Sequence, residues 1–155
     1  MGLVLQAALL VSGADSYETA LQAAKDNGQP MLVLVGADWC PGCVTMKNST
    51  MPSIARAGGL KGVNYITVNY DQNPTLARQM MRGNSIPQLV VFSKTDKGWH
   101  REQITGATSA GAVGGLIQRA LAARAPVAAN TAIAKEANKT DATTVSVGSG
   151  GGGAN

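Results

Sequence analysis

The chain has 155 residues, room for one domain with a single hydrophobic core and a tail, and its 45% apolar and 14% charged content is that of a folded globular protein. Thirteen Lys and Arg against nine Asp and Glu leave a net charge of +4, but the basic residues stand singly between Lys25 and Lys139 and the six aromatics are dispersed, which argues against a nucleic-acid partner. No apolar run reaches the roughly 18 to 20 residues of a membrane span.

The chain opens on an apolar stretch, Met1 to Ala14, that ends in small residues and reads like the h-region and cleavage site of an export signal, although no Lys or Arg precedes it. Residues 1–14 are therefore expected to be a signal-peptide remnant of an exported protein, the alternative being a short buried strand or helix in a cytoplasmic one. Gln6 stands where myristoylation would want Ser or Thr. Asp15 and Glu18 form a D-x-x-E capping box, Tyr17, Ala20, Leu21 and Ala24 share one helical face, and Asn27-Gly28 before Pro30 stops it, which predicts a helix over 16–27. Met31-Leu32-Val33-Leu34-Val35 is continuously apolar, as a strand buried on both faces should be.

Next comes Gly36-Ala37-Asp38-Trp39-Cys40-Pro41-Gly42-Cys43, then a helical stretch to about Ala57 that Pro52 should kink or break in two. Residues 63–70 read as a second strand, and Pro74 opens a helix through Arg82 closed by Gly83. Residues 88–92 and 99–105 form a hairpin across Thr95-Asp96-Lys97-Gly98, and a last helix over 109–124 carries Val113, Leu116, Ile117, Ala120 and Leu121 on one face. A parallel pair with a crossover helix, followed by an antiparallel hairpin and a closing helix, gives an α/β fold with a mixed four-stranded sheet, or five with a short extra strand, and helices on both faces. From Pro126 onward, Ala, Thr, Asn and Ser lead into a glycine run, so 126–155 is expected to be a flexible tail and 15–125 the domain.

Cys40 and Cys43 follow a buried strand directly and fall at the first turn of a helix. Unpaired N–H groups and the positive end of the helix dipole stabilise a thiolate there and pull its pKa below the usual value of about 8.5. Cys40, expected at an exposed N-cap, suits attack on a disulfide; Cys43, within the turn, suits release of the product. Pro41 at N1 costs no hydrogen bond, and Gly42 at N2 retains an N–H that could serve the Cys40 sulfur together with that of Cys43. On that argument the Cys40 pKa lies below about 7 and the pair is less reducing than about −270 mV.

The sequence resembles the thioredoxin family over residues 28–124. The resemblance is carried by Ala37-Asp38-Trp39-Cys40-Pro41-Gly42-Cys43, by Asp71-Gln72-Asn73-Pro74, by Ser85-Ile86-Pro87 and by Thr105-Gly106-Ala107. It implies a thioredoxin-like fold and a disulfide oxidoreductase acting on protein thiols and disulfides, with Cys40 as nucleophile and Cys43 as resolving thiol. It further implies a cis Ile86-Pro87 bond, and Ile86, Pro87 and Trp39 as the substrate-binding surface around the Pro41-Gly42 turn. No cofactor is implied; an electron-exchange partner of unspecified identity is, and the chain is expected to act as a monomer. Three departures stand out: the family's buried Asp falls on Leu34, its partner Lys on Thr67, and its second tryptophan on Gly36.

Blander roles compete with these. The alternative function is a non-catalytic binding module in which the cysteine pair is a structural disulfide or, with Met46 and Met51, a soft-metal clamp, although methionines usually fill cores. Zinc sites take about four ligands, and two Cys with the single His100 do not supply them, so no metal is assigned. His100 reads as solvent-facing, Lys47 and Arg56 as exposed helix positions, and Trp39 equally as a core residue or as a plate beside the sulfur.

Overall fold

The apolar run after the first helix becomes the strand β1 (Met31–Gly36), whose side chains alternate between two buried faces. The computed structural model describes residues 13–124 of the chain. Both the apolar start, expected as a signal segment, and the expected tail beyond Pro126 lie outside the described residues.

Before β1 runs α1 (Gly13–Asn27). After it come α2 (Pro41–Thr45), a π-helical turn (Met46–Thr50), α3 (Met51–Arg56), β2 (Asn64–Asn69), α4 (Pro74–Met80), β3 (Gln88–Thr95), β4 (Gly98–Thr105) and α5 (Ala110–Ala123). The sheet has the order β2-β1-β3-β4, with β1 parallel to β2 and antiparallel to β3, and β3 antiparallel to β4. This is the mixed four-stranded sheet read from the sequence; no fifth strand occurs among the described residues.

Two hydrophobic layers cover the sheet. Leu32 and Leu34 of β1, with Leu89 and Val91 of β3, pack against Met46, Met51 and Ile54 and against Val113, Leu116, Ile117 and Ala120 of α5. On the opposite face Met31, Val33 and Val35, with Val68 of β2, meet Ala20 and Ala24 of α1 and Ala77 and Met80 of α4. A strand that serves two cores has no polar face, which explains the unbroken apolar run. Ser93, fully buried in β3, is satisfied by donating to the Ala120 carbonyl at 3.1 Å.

One local expectation is corrected and another is narrowed. Asp15 lies inside α1, because Gly13 and Ala14 are already helical, and so it is no N-cap. Of the kink or break expected at Pro52, the helix beyond the cysteines shows no break but a local distortion. Proline removes one ladder donor and crowds the carbonyl four residues back. The chain accommodates this by widening the preceding turn: Met51 N–H bonds the Met46 carbonyl five residues back, and Thr50 and Met51 keep right-handed helical dihedrals.

Candidate functional site

At the carboxyl end of β1 the backbone turns sharply, Cys40 N–H bonding the Ala37 carbonyl at 3.2 Å, and α2 begins. Cys40 is its N-cap with extended dihedrals, Pro41 takes the first helical position, and Val44 N–H closes onto the Cys40 carbonyl at 3.0 Å. Cys40 and Cys43 are joined as a disulfide, their Cα atoms 5.2 Å apart. The Cys40 sulfur accepts the Cys43 N–H at 3.3 Å. Gly42 N–H makes no such bond, so of the two donors expected on this sulfur the structure holds one.

Both cysteines are buried, Cys40 at 7% and Cys43 at 4% exposure, which corrects the expectation of an exposed Cys40. The cause is packing: Ala37, Tyr70 and Ile86 close around the pair. What distinguishes the two sulfurs is their surroundings. Cys40 Sγ lies 3.9 Å from the Ile86 carbonyl oxygen, beside the buried Pro87. The Ile86-Pro87 peptide bond is cis, and the Pro87 carbonyl accepts Gly106 N–H at 2.8 Å, which ties this loop to the turn between β4 and α5.

Gly42 belongs to the same side. A Cβ placed there would come within 3.2 Å of Ala107 Cβ and 3.5 Å of Pro87 Cδ. Pro41, by contrast, faces solvent. The order Pro-Gly thus leaves the close approach to the small residue and puts the ring outside.

Cys43 faces the other way. A cleft of about 70 Å³ lies against it, lined among others by Leu34, Gly36, Asp38, Lys47, Thr67 and Asn69. Gly36 is the wall nearest the sulfur: a Cβ there would stand 2.9 Å from Cys43 Cβ and 3.1 Å from its Sγ. Where the resemblance would place a tryptophan, Cys43 itself occupies the space against the glycine backbone. Leu34 and Thr67, the two positions lacking the Asp and Lys, sit opposite each other in the β1–β2 register and supply the cleft with one aliphatic and one hydroxyl group. Its charged lining comes instead from Asp38, whose carboxylate accepts Asn69 Nδ2 at 3.0 Å and stands 3.8 Å from Lys47 Nζ.

Trp39 is 67% exposed and so is no core residue. Its indole N–H donates to Asp71 Oδ2 at 2.8 Å, and Asn69 Oδ1 in turn accepts Asp71 N–H at 2.9 Å and Gln72 N–H at 3.3 Å. The sequence alone marked Asp38 and Asp71 only as parts of motifs and did not point to Asn69. A polar cluster following each of two adjacent parallel strands was the available signal.

The other candidates separate from the site. Met46 and Met51 are fully buried core residues, and Met46 Sδ accepts Thr108 N–H at 3.5 Å. His100 is exposed on β4 and contacts Glu102 at 3.2 Å. Glu102 also accepts Arg119 Nε at 2.8 Å, and the arginine holds its carboxyl below the usual range. Lys47 is exposed as expected but takes part in the cleft, and Arg56 is exposed as expected.

A family model described as thioredoxin-like matches residues 13–94, more than half of the chain. Among solved structures, the chain is similar to a thioredoxin of Trichomonas vaginalis, at 28% identity over 66% of this chain and 89% of that one, TM-score 0.51. A thioredoxin of Fasciola hepatica matches at 22% identity over 72% and 96%, TM-score 0.52. The germline-specific thioredoxin Deadhead of Drosophila melanogaster matches at 21% identity over 70% and 95%, TM-score 0.56; these last two likenesses speak to the fold alone. No curated protein matches the chain by sequence. With its four-stranded mixed sheet, its helices on both faces and its cysteine pair at the start of α2, the chain belongs to the thioredoxin-like family.

Proposed function

We propose that the protein is a thiol-disulfide oxidoreductase that exchanges disulfides with protein substrates through Cys40 and Cys43. The observation that carries this reading is the asymmetric setting of one dithiol. The Cys40 sulfur accepts a helix-start N–H and lies beside the Ile86 carbonyl, whereas Cys43 backs onto a cleft of mixed apolar and polar lining. In the reduced protein the Cys40 thiolate attacks one sulfur of a substrate disulfide, forming a mixed disulfide and expelling the other substrate sulfur as a thiolate, which takes up a proton. Cys43, once deprotonated, attacks the Cys40 sulfur. The Cys40–Cys43 disulfide forms, the second substrate thiolate leaves, and two electrons have passed to the substrate. The reverse sequence oxidises a substrate dithiol.

Ile86 and Pro87 serve as the shelf on which an extended substrate segment lies, its backbone pairing with Ile86, and Trp39 flanks it, anchored by Asp71. The Pro41-Gly42 turn presents the sulfur. The structure holds the oxidised pair, in which the Cys40 sulfur accepts the Cys43 N–H. The test is a redox titration of the pair in glutathione buffers combined with reduction of insulin by the protein in the presence of dithiothreitol. A reversible two-electron transition with insulin turnover is expected. A disulfide that cannot be reduced without unfolding, or no turnover, would leave a structural crosslink as the reading.

A further inference from the structure

We propose that Gln88 is a positioning residue that fixes the substrate shelf against Cys40. It is the first residue of β3, one position after Pro87, and it is fully buried at 0% exposure. Its Nε2 donates to the Arg82 carbonyl at 3.0 Å and to the Ser85 carbonyl at 2.8 Å, and its Oε1 accepts Arg82 N–H at 3.0 Å. A primary amide offers two N–H donors and two lone pairs. Three of those four are spent on the backbone of one loop, and Gln103 Nε2 stands 3.5 Å from Oε1.

Towards Arg82 the side chain behaves as a neighbouring peptide group would, satisfying both the N–H and the C=O of one residue as a strand partner does. The loop has no other such support. Arg82, Gly83, Asn84 and Ser85 are exposed, lie outside helix and sheet, and make no other hydrogen bond among the described residues. Both ends of the loop are held, by the Arg101 guanidinium on the Met80 carbonyl and by Gly106 on Pro87. Its middle hangs on Gln88. The next residue is Ile86, whose carbonyl faces the Cys40 sulfur. A buried amide that costs free energy unless bonded is thus spent on the geometry of the residue that would pair with substrate.

The kinetic part of this inference rests on the disulfide-exchange reading; the loop geometry does not. The test uses Gln88→Met, which keeps length and burial but has no amide, and Gln88→Glu, which keeps an acceptor for Arg82 N–H and loses both donors when ionised. Amide hydrogen exchange in the whole chain should accelerate at Arg82 by about tenfold or more in Gln88→Met, and less in Gln88→Glu, while Leu89 and Val91 of β3 stay protected. With pre-reduced protein and a disulfide-bonded peptide, the half-saturation concentration should rise roughly tenfold in both variants and the limiting rate stay within about twofold.

Loss of protection throughout β3 would mean a structural role and overturn the proposal, as would faster exchange at Arg82 with unchanged half-saturation. If Gln88→Met does not fold, Gln88→Glu carries the same two readouts. If the wild-type protein reduces no peptide, the disulfide-exchange reading fails, and exchange at Arg82 alone decides whether Gln88 holds the loop.

Discussion

The two sulfurs of the pair, three residues apart, sit in different environments. Cys40 lies against the Ile86-Pro87 loop, with Gly42 leaving little room between the turn and Pro87 and Ala107. Cys43 backs onto a cleft whose mouth carries exposed Asp38, Lys47 and Thr67. One sulfur lies against the Ile86-Pro87 loop; the other lies against a cleft open to exposed side chains. The comparison teaches that flanking backbone can give two neighbouring sulfurs different surroundings without an ionisable group buried beneath them: Leu34 occupies the floor where such a group would stand.

The largest effect should come from putting a carboxyl under Cys43. Leu34→Asp places an ionisable group at a site that is almost wholly buried, and a loss of about 3 kcal/mol or more is expected in urea unfolding. The same variant should shorten the lifetime of the mixed disulfide near pH 7, because a base beside Cys43 speeds its deprotonation. An unchanged lifetime would show that deprotonation of Cys43 does not limit resolution.

A smaller loss is expected where the backbone itself makes room. In Gly36→Ala the new methyl meets Cys43 at a distance that carbon atoms do not tolerate, and overpacking should cost about 1 to 3 kcal/mol with Cys43 displaced and resolution slowed. Gly42→Ala touches the other side at 3.2 Å and 3.5 Å, contacts that a slight shift of the shelf can relieve, so its stability should change by less than about 1 kcal/mol. Its effect should fall on substrate half-saturation. Equal kinetic signatures for the two alanines, read from single-turnover rates against peptide concentration, would erase the distinction between the sides.

The smallest effect sharpens the cleft side from further along β2. Tyr65 packs against the same core layer as Leu34, and its buried hydroxyl has no hydrogen-bond partner among the described residues. Burial pushes its pKa up to about 12 from the ordinary 10.0. Above pH 10 an unfolded chain ionises this phenol and the folded one does not, so stability falls with pH until the folded value is reached. Tyr65→Phe should remove that alkaline slope and gain up to about 1 kcal/mol at neutral pH, measured by urea unfolding at pH 7 and pH 11.

Much of this was legible in the sequence because it follows from short-range pattern. A five-residue apolar run could only be a strand covered twice, and a C-x-x-C directly after it had to meet the start of a helix. The hairpin and the last helix followed from turn residues and periodicity in the same way. What escaped depended on contacts between distant segments. Pro52 promised a kink or a break without deciding between them; a helix held on one side by Met46, Met51 and Ile54 in the core gains more by widening one turn than by ending. The bare wall that Gly36 offers Cys43, the anchoring of Trp39 by Asp71, and the clamp of Gln88 on Arg82 and Ser85 each need the fold before they can be read. The family motifs marked the cysteines and the proline but not the side chains that set them in place.

The division of labour between the sulfurs is the central claim, and covalent trapping tests it most directly. Cys43→Ser and Cys40→Ser proteins, each reduced and then mixed with a disulfide-bonded peptide, would be quenched by alkylation and weighed intact by mass spectrometry. Cys43→Ser should accumulate a stable adduct of one peptide on Cys40, and Cys40→Ser should accumulate little or none over the same time, since its remaining thiol lies at the cleft side away from the shelf. Equal adducts on both variants, or an adduct formed preferentially through Cys43, would contradict the account.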